Sequence, residues 1–102
     1  MAELAFKDSF KLFDGNCVRF NGFDGDRKVL CGVTTYALKH HSPKLPDQGL
    51  LPGELFLSAY DEFMIQVHQV AREKYKNEEF ELSGDIKVIV HDSDWSKYLG
   101  TL

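Results

Sequence analysis

Residues 17–33 read CVRFNGFDGDRKVLCGV and contain the strongest structural signal in the chain. Apolar residues occupy every second position on each side of the centre of this stretch: Val18 and Phe20 before it, and Val29, Cys31 and Val33 after it. A two-residue period is typical of half-buried β-strands. Asp24-Gly25 indicates a tight turn between the strands, because glycine tolerates the positive φ of such a turn. The stretch therefore predicts a β-hairpin with strands at 17–23 and 28–33.

The hairpin also predicts the state of the two cysteines. Paired residues on antiparallel strands share a face, and successive residues alternate between faces. A turn centred on Asp24-Gly25 pairs Val18 with Cys31, and a turn centred one residue later pairs Phe20 with Cys31. Both registers put Cys31 on the apolar face and Cys17 on the opposite face. We therefore predict two free thiols, with Cys31 in the core.

Composition limits the class of protein. The chain has 102 residues, of which 43% are hydrophobic, so we expect a single domain over residues 1–102 with a core of its own. The net charge of −4 disfavours nucleic acid as a partner. No segment approaches the ~20 apolar residues of a membrane span, and the N-terminus lacks the pattern of a signal peptide. We therefore expect a cytoplasmic protein that binds neither membrane nor nucleic acid.

The remaining elements predict an α+β fold. Leu4–Phe6 is interpreted as an N-terminal strand, and a short helix over 35–41 follows the hydroxyl cap of Thr34-Thr35. The apolar stripe of 54–76 has spacings of three and four, which predicts one long helix. A last strand is expected over 86–91. Together these elements predict a small antiparallel sheet with both helices packed on one face.

Candidate chemistry is sparse. His91, Asp92 and Asp94 form an acid–imidazole cluster after the last strand, and they would serve a hydrolase or a metal-assisted enzyme if they converged in one pocket. Turn and helix-cap roles explain the two carboxylates equally well. The adjacent His40-His41 pair points in directions about 100° apart on a helix, which does not suit one metal ion. We therefore predict no catalytic residue, no metal site and no cofactor.

Other features indicate packing or association. His68 lies on the flank of the apolar stripe of 54–76, so we interpret it as a boundary residue. Ile65 lies about 180° from Phe56 on the same helix, among polar residues. A lone exposed apolar residue is ordinary, but a patch would suit a partner. The candidate interface residues are Leu57, Ile65, Leu50 and Leu51.

Six short motifs follow one another along the chain: Phe6-Lys7-Asp8, Val18-Arg19-Phe20, Asp24-Gly25, Val29–Val33 with Tyr36-Ala37-Leu38, Val70–Tyr75 and Gly84–Val88. In these motifs the chain resembles the DUF1488 family of small stand-alone bacterial proteins. The resemblance implies an α+β fold with an antiparallel sheet and supplies no activity or ligand. The Pro-rich stretch 42–53 and the tail from Asp94 onward lie outside the matching motifs.

These observations favour a non-catalytic accessory or interaction protein of the bacterial cytoplasm that associates with itself as a homodimer or binds a protein partner. Two alternatives remain open. One is a small hydrolase-like or metal-assisted enzyme that uses His91, Asp92 and Asp94. The other is a module that binds a small molecule whose identity the sequence does not indicate.

Overall fold

The computed structural model describes residues 3–8, 10–41, 52–82 and 84–99. Within these residues it confirms the α+β class, with four strands in one sheet of order β1-β2-β3-β4 and four helices. In chain order the elements are β1 (Lys11–Phe13), β2 (Cys17–Asp24), β3 (Arg27–Thr34), α1 (Thr35–His41), α2 (Pro52–Glu62), α3 (Met64–Lys76), β4 (Val88–Val90) and α4 (Asp92–Leu99).

The predicted hairpin is formed by β2 and β3. Its register pairs Phe20 with Cys31 and Asp24 with Arg27, so the turn is centred on Gly25-Asp26. Gly25 has φ 62°, and placing a glycine of positive φ first in a two-residue turn matches the twist of the flanking strands. Cys31 is fully buried and Cys17 is buried as well, and both are free thiols, as expected.

The N-terminal strand was placed wrongly by the sequence pattern. In the Leu4–Phe6 segment only Ala5 forms a bridge, an isolated antiparallel one to Phe23. The strand beside β2 is β1, which begins five residues after the predicted segment ends. The Asp14 side chain sets the turn between β1 and β2, because it accepts a hydrogen bond from the Cys17 N–H at 2.8 Å. The pattern missed β1 because a strand of three residues is too short to show a clear alternation of apolar and polar side chains.

The predicted long helix 54–76 is two helices, and Phe63 lies between them with φ −106° and ψ 17°. Hydrogen bonds of helical spacing continue through the bend, because the Phe63 N–H donates to the Ala59 carbonyl at 3.0 Å and the Val67 N–H to the Phe63 carbonyl at 2.9 Å. The apolar stripe therefore keeps its phase across the bend. The Phe63 ring packs edge-on against Trp95 of α4, a tertiary contact that helical periodicity does not reveal.

The sheet is mixed, which corrects the expectation of a wholly antiparallel sheet. β4 pairs parallel with β3 and is shorter than the expected strand 86–91. The chain crosses from β3 to β4 through α1, α2 and α3, and a crossover of this kind returns the chain in its original direction.

The two faces of the sheet differ. The helices cover one face, which we call the inner face, where Val18, Phe20, Val29, Cys31 and Val33 are buried. Leu4 also packs there, directly over Gly22, where a Cβ would lie 2.8 Å from the Leu4 side chain. The opposite face, which we call the outer face, has no helix against it among the described residues and includes Leu12, Arg19, Asn21, Lys28 and Leu30.

Candidate functional site

The residues predicted as an acid–imidazole cluster lie at the start of α4. The Asp94 carboxylate accepts a hydrogen bond from the Lys74 ammonium at 2.6 Å and another from the His91 backbone N–H at 3.0 Å. The second bond is half of a capping box, in which the third helical residue reaches back to the residue before the helix. Lys74 also donates to the Ile89 carbonyl at 2.7 Å. Asp94 therefore closes a buried ion pair and caps α4.

The other two members of the cluster have different partners. The His91 ring lies 3.4 Å from a Glu81 carboxylate oxygen, and Asp92 lies 2.6 Å from the Nδ1 atom of His40. Three side chains with three separate partners do not form one catalytic centre. The His41 side chain lies outside the described residues. In the part of the chain that the structure describes, no three His, Cys, Asp or Glu side chains form a group that could hold a metal ion.

A second pair of ionisable groups, Tyr60 and His68, joins α2 to α3. The Tyr60 hydroxyl and the His68 Nε2 atom are 2.7 Å apart, and the His68 ring stacks on Phe6 with centroids 3.9 Å apart. Burial lowers the pKa of His68 to about 4, and the charge of Arg72 adds to the effect. Burial also raises the pKa of Tyr60. The pair is therefore neutral near pH 7 and joins two helices and the N-terminal segment.

Sequence reasoning placed His68 at the boundary of the core but missed its partner. Tyr60 and His68 are eight residues apart, about two helical turns, and a bend lies between them. An aromatic hydroxyl and an imidazole on the same side of one apolar stripe were the available signal.

The outer face carries a groove of about 210 Å³. The apolar residues that line this groove include Phe10, Leu12, Leu30 and Ile86. Arg19, Asn21 and Lys28 contribute polar groups. The groove therefore combines apolar walls with basic side chains.

One charged cluster lies at one end of the outer face. The Arg19 guanidinium binds the Asp14 and Asp85 carboxylates, each at 2.8 Å. These hydrogen bonds lower the pKa of both carboxyls. Two carboxylates around one guanidinium leave the cluster with a net charge of −1.

The predicted interface residues are only partly described. Ile65 is 80% exposed on α3, and Leu57 of α2 is half-buried against the core. Leu50 and Leu51 lie outside the described residues. Within the described residues, no helix has the length and hydropathy needed to cross a bilayer.

Comparison with known proteins supports the resemblance seen in the sequence. The model of the family described as "Protein of unknown function (DUF1488)" matches residues 5–88. The structure is similar to the crystal structure of a Shewanella loihica PV-4 protein of unknown function that belongs to the DUF1488 family. The TM-score is 0.70 and the identity 17%, over 88% of this chain and 93% of the other. Similarity at this identity shows the shared fold. No curated protein matches the chain.

Proposed function

Because the chain belongs to the DUF1488 family, a family of unknown function, we propose its role from its own surface: it is a non-catalytic interaction protein that associates with itself. As part of the same proposal we assign it to the bacterial cytoplasm. The two free thiols are consistent with a reducing compartment, and cell fractionation with an antibody to the protein tests the assignment.

The exposed apolar side chains carry the proposal. Among the described residues, six large apolar side chains are exposed: Phe10, Leu12, Tyr36, Met64, Ile65 and Leu82. Single exposed apolar side chains are normal, but those that cluster mark interaction surfaces. Two clusters are present here, because Met64 and Ile65 are adjacent on α3 and Phe10 and Leu12 border the groove of the outer face. Either surface is available to a second protein chain.

The contacts of the acid–imidazole cluster support a role without catalysis. A general base needs a free carboxylate or imidazole that reaches the substrate. The Asp94 carboxylate is buried against Lys74, and the Asp92 carboxylate contacts His40. The Tyr60–His68 pair is covered by the Phe6 ring. The chemistry-bearing groups are therefore occupied by contacts that stabilise the fold.

Light scattering coupled to size-exclusion chromatography tests self-association. We expect a concentration-dependent rise from the 11.7 kDa of one chain toward twice that mass. A protein that stays monomeric up to millimolar concentration would contradict the proposal. Circular dichroism at each concentration serves as the control that the mass change reflects association of folded protein.

A second candidate function, small-molecule binding, is favoured by a cavity of about 340 Å³ between the N-terminal segment and α3. Arg72 and Lys76 line it together with Glu3 and Glu73, so a zwitterion such as an amino acid would suit its balanced charges. A thermal-shift screen of amino acids tests this function. A rise in Tm that is lost in Lys76→Gln supports it, and unchanged melting across the screen contradicts it.

A further inference from the structure

We propose that the outer face of the sheet is the surface through which two copies of this chain pair, related by a two-fold axis. The axis lies between the two facing sheets and runs across the strands at the level of the Asn21–Leu30 pair. This inference rests on the proposed self-association and adds the surface and the geometry. Ile65 and the rest of the exposed helix surface then lie outside the interface.

The apolar content of the outer face is the first reason. Leu12 is 50% exposed and Phe10 is 46% exposed, and the half-buried Leu30 lines the same groove. Two of the six exposed large apolar side chains among the described residues therefore belong to this face. Sheets with an apolar face pack on one another about 10 Å apart.

The second reason is that the two ends of the face carry opposite excess charge. Lys28 lies near the hairpin turn and forms no ion pair within the described part of the chain. At the other end, Asp14 and Asp85 surround Arg19 and leave one negative charge in excess. The Asp85 side chain is 62% exposed and therefore open to another cation.

The strand register relates these two ends by symmetry. Lys28 precedes Leu30 by two residues, and Gly32 follows Leu30 by two residues and pairs with Arg19. Rotation about the proposed axis exchanges the two ends of each strand. It therefore brings Lys28 of each copy to the Arg19–Asp85 end of the other, and Leu30 against the partner's Leu30. A surface that complements itself in this way is the requirement for an isologous dimer.

The size of the face sets the expected affinity. The two eight-residue strands and the two three-residue strands cover about 350 Å² per copy as a flat area. Stable interfaces bury about 800 Å² per partner, so the face is smaller than that class. We therefore expect a weak, reversible dimer with a dissociation constant of about 100 μM.

A charge exchange tests the geometry. Lys28→Glu and Asp85→Lys each place like charges together across the axis, and each should raise the dissociation constant about tenfold. The double variant restores opposite charges and should return the constant to within about threefold of the original. Analytical ultracentrifugation measures the three constants. Loss of affinity in both single variants without recovery in the double variant would overturn the pairing.

Two further variants separate this inference from the proposed function. Leu12→Asp places a charge at an exposed position of the outer face and should abolish the dimer, whereas Ile65→Asp on α3 should leave it unchanged. Near-identical circular dichroism spectra establish that both variants fold. If Ile65→Asp disrupts the dimer and Leu12→Asp does not, the proposal of self-association stands but the outer face is not the interface. A monomeric starting protein would overturn both proposals.

Discussion

The two faces of the β2–β3 hairpin have the same backbone and opposite surroundings. On the inner face, Val18, Phe20 and Val33 are almost inaccessible to water. On the outer face, Arg19 and Asn21 of the same strand are partly exposed, and Leu30 is only half-buried. Successive side chains of a strand point to opposite faces of the sheet. A polar side chain is therefore costly to bury on the inner face but keeps its contact with water on the outer face. Most of the core therefore lies against the inner face, whereas the outer face keeps partly exposed side chains.

Truncation of one side chain on each face tests this division most strongly. Phe20→Ala should lower the free energy of unfolding by about 4 kcal/mol, because it removes a buried ring and leaves a cavity. Leu12→Ala on the outer face should cost less than about 1 kcal/mol, since half of that side chain is already in water. Urea denaturation of the monomer measures both changes, and equal losses would contradict the division.

The buried ion pair in the helix layer should have the next largest effect. Lys74→Met leaves the Asp94 carboxylate buried without its cation, and removing one partner of such a pair costs about 3 kcal/mol or more. Lys76→Met, on the same helix but exposed, is the matched control and should change stability by less than about 0.5 kcal/mol. If both variants unfold at the same urea concentration, the Lys74–Asp94 contact contributes nothing.

Acid should weaken the helix layer through His68. The pKa of His68 is about 4 in the folded protein and about 6.5 in the unfolded chain, so between these values the unfolded chain binds more protons. Stability is therefore complete above about pH 6.5 and is lost as the pH falls toward 4, by about 1.5 kcal/mol between pH 6.5 and 5. His68→Gln lacks this titration. Between pH 6.5 and 5 its free energy of unfolding, measured by urea denaturation, should therefore fall by about 1.5 kcal/mol less than that of the original protein. Parallel pH profiles for the two proteins would contradict the assignment.

The smallest effect is expected at the turn, where neither face is buried. Gly25 has φ 62°, and a Cβ there would meet no atom within 4 Å, so the cost of Gly25→Ala arises from the backbone alone. We expect a loss of about 1 kcal/mol in the free energy of unfolding, and a smaller loss for Gly25→Asn, because asparagine tolerates positive φ better. Thermal melts of the two variants provide the measurement, and a fully neutral Gly25→Ala would show that the turn relaxes.

The candidate site was less predictable than the fold. The Lys74–Asp94 ion pair joins residues 20 positions apart on two different helices, and no periodicity connects them. Asp94 was noted beside His91 because the two are close in sequence, and its carboxylate does accept the His91 backbone N–H, but its ionic partner is a lysine from another element. Asp92 likewise contacts a distant side chain, that of His40, across 52 positions. Proximity in the sequence was therefore a poor guide to the charged partners of these carboxylates.

Local physics determined the hairpin, the glycine at its turn, the Thr34 hydroxyl that accepts the Ala37 N–H of α1, and the burial of Cys31. Each depends on the alternation of side chains or on backbone geometry within a few residues. Only the tertiary structure decided that β4 runs parallel to β3, that the helix bends at Phe63, and that the outer face lacks a helix among the described residues. These features depend on how separate elements pack together, and that information is shared among residues distant in the chain.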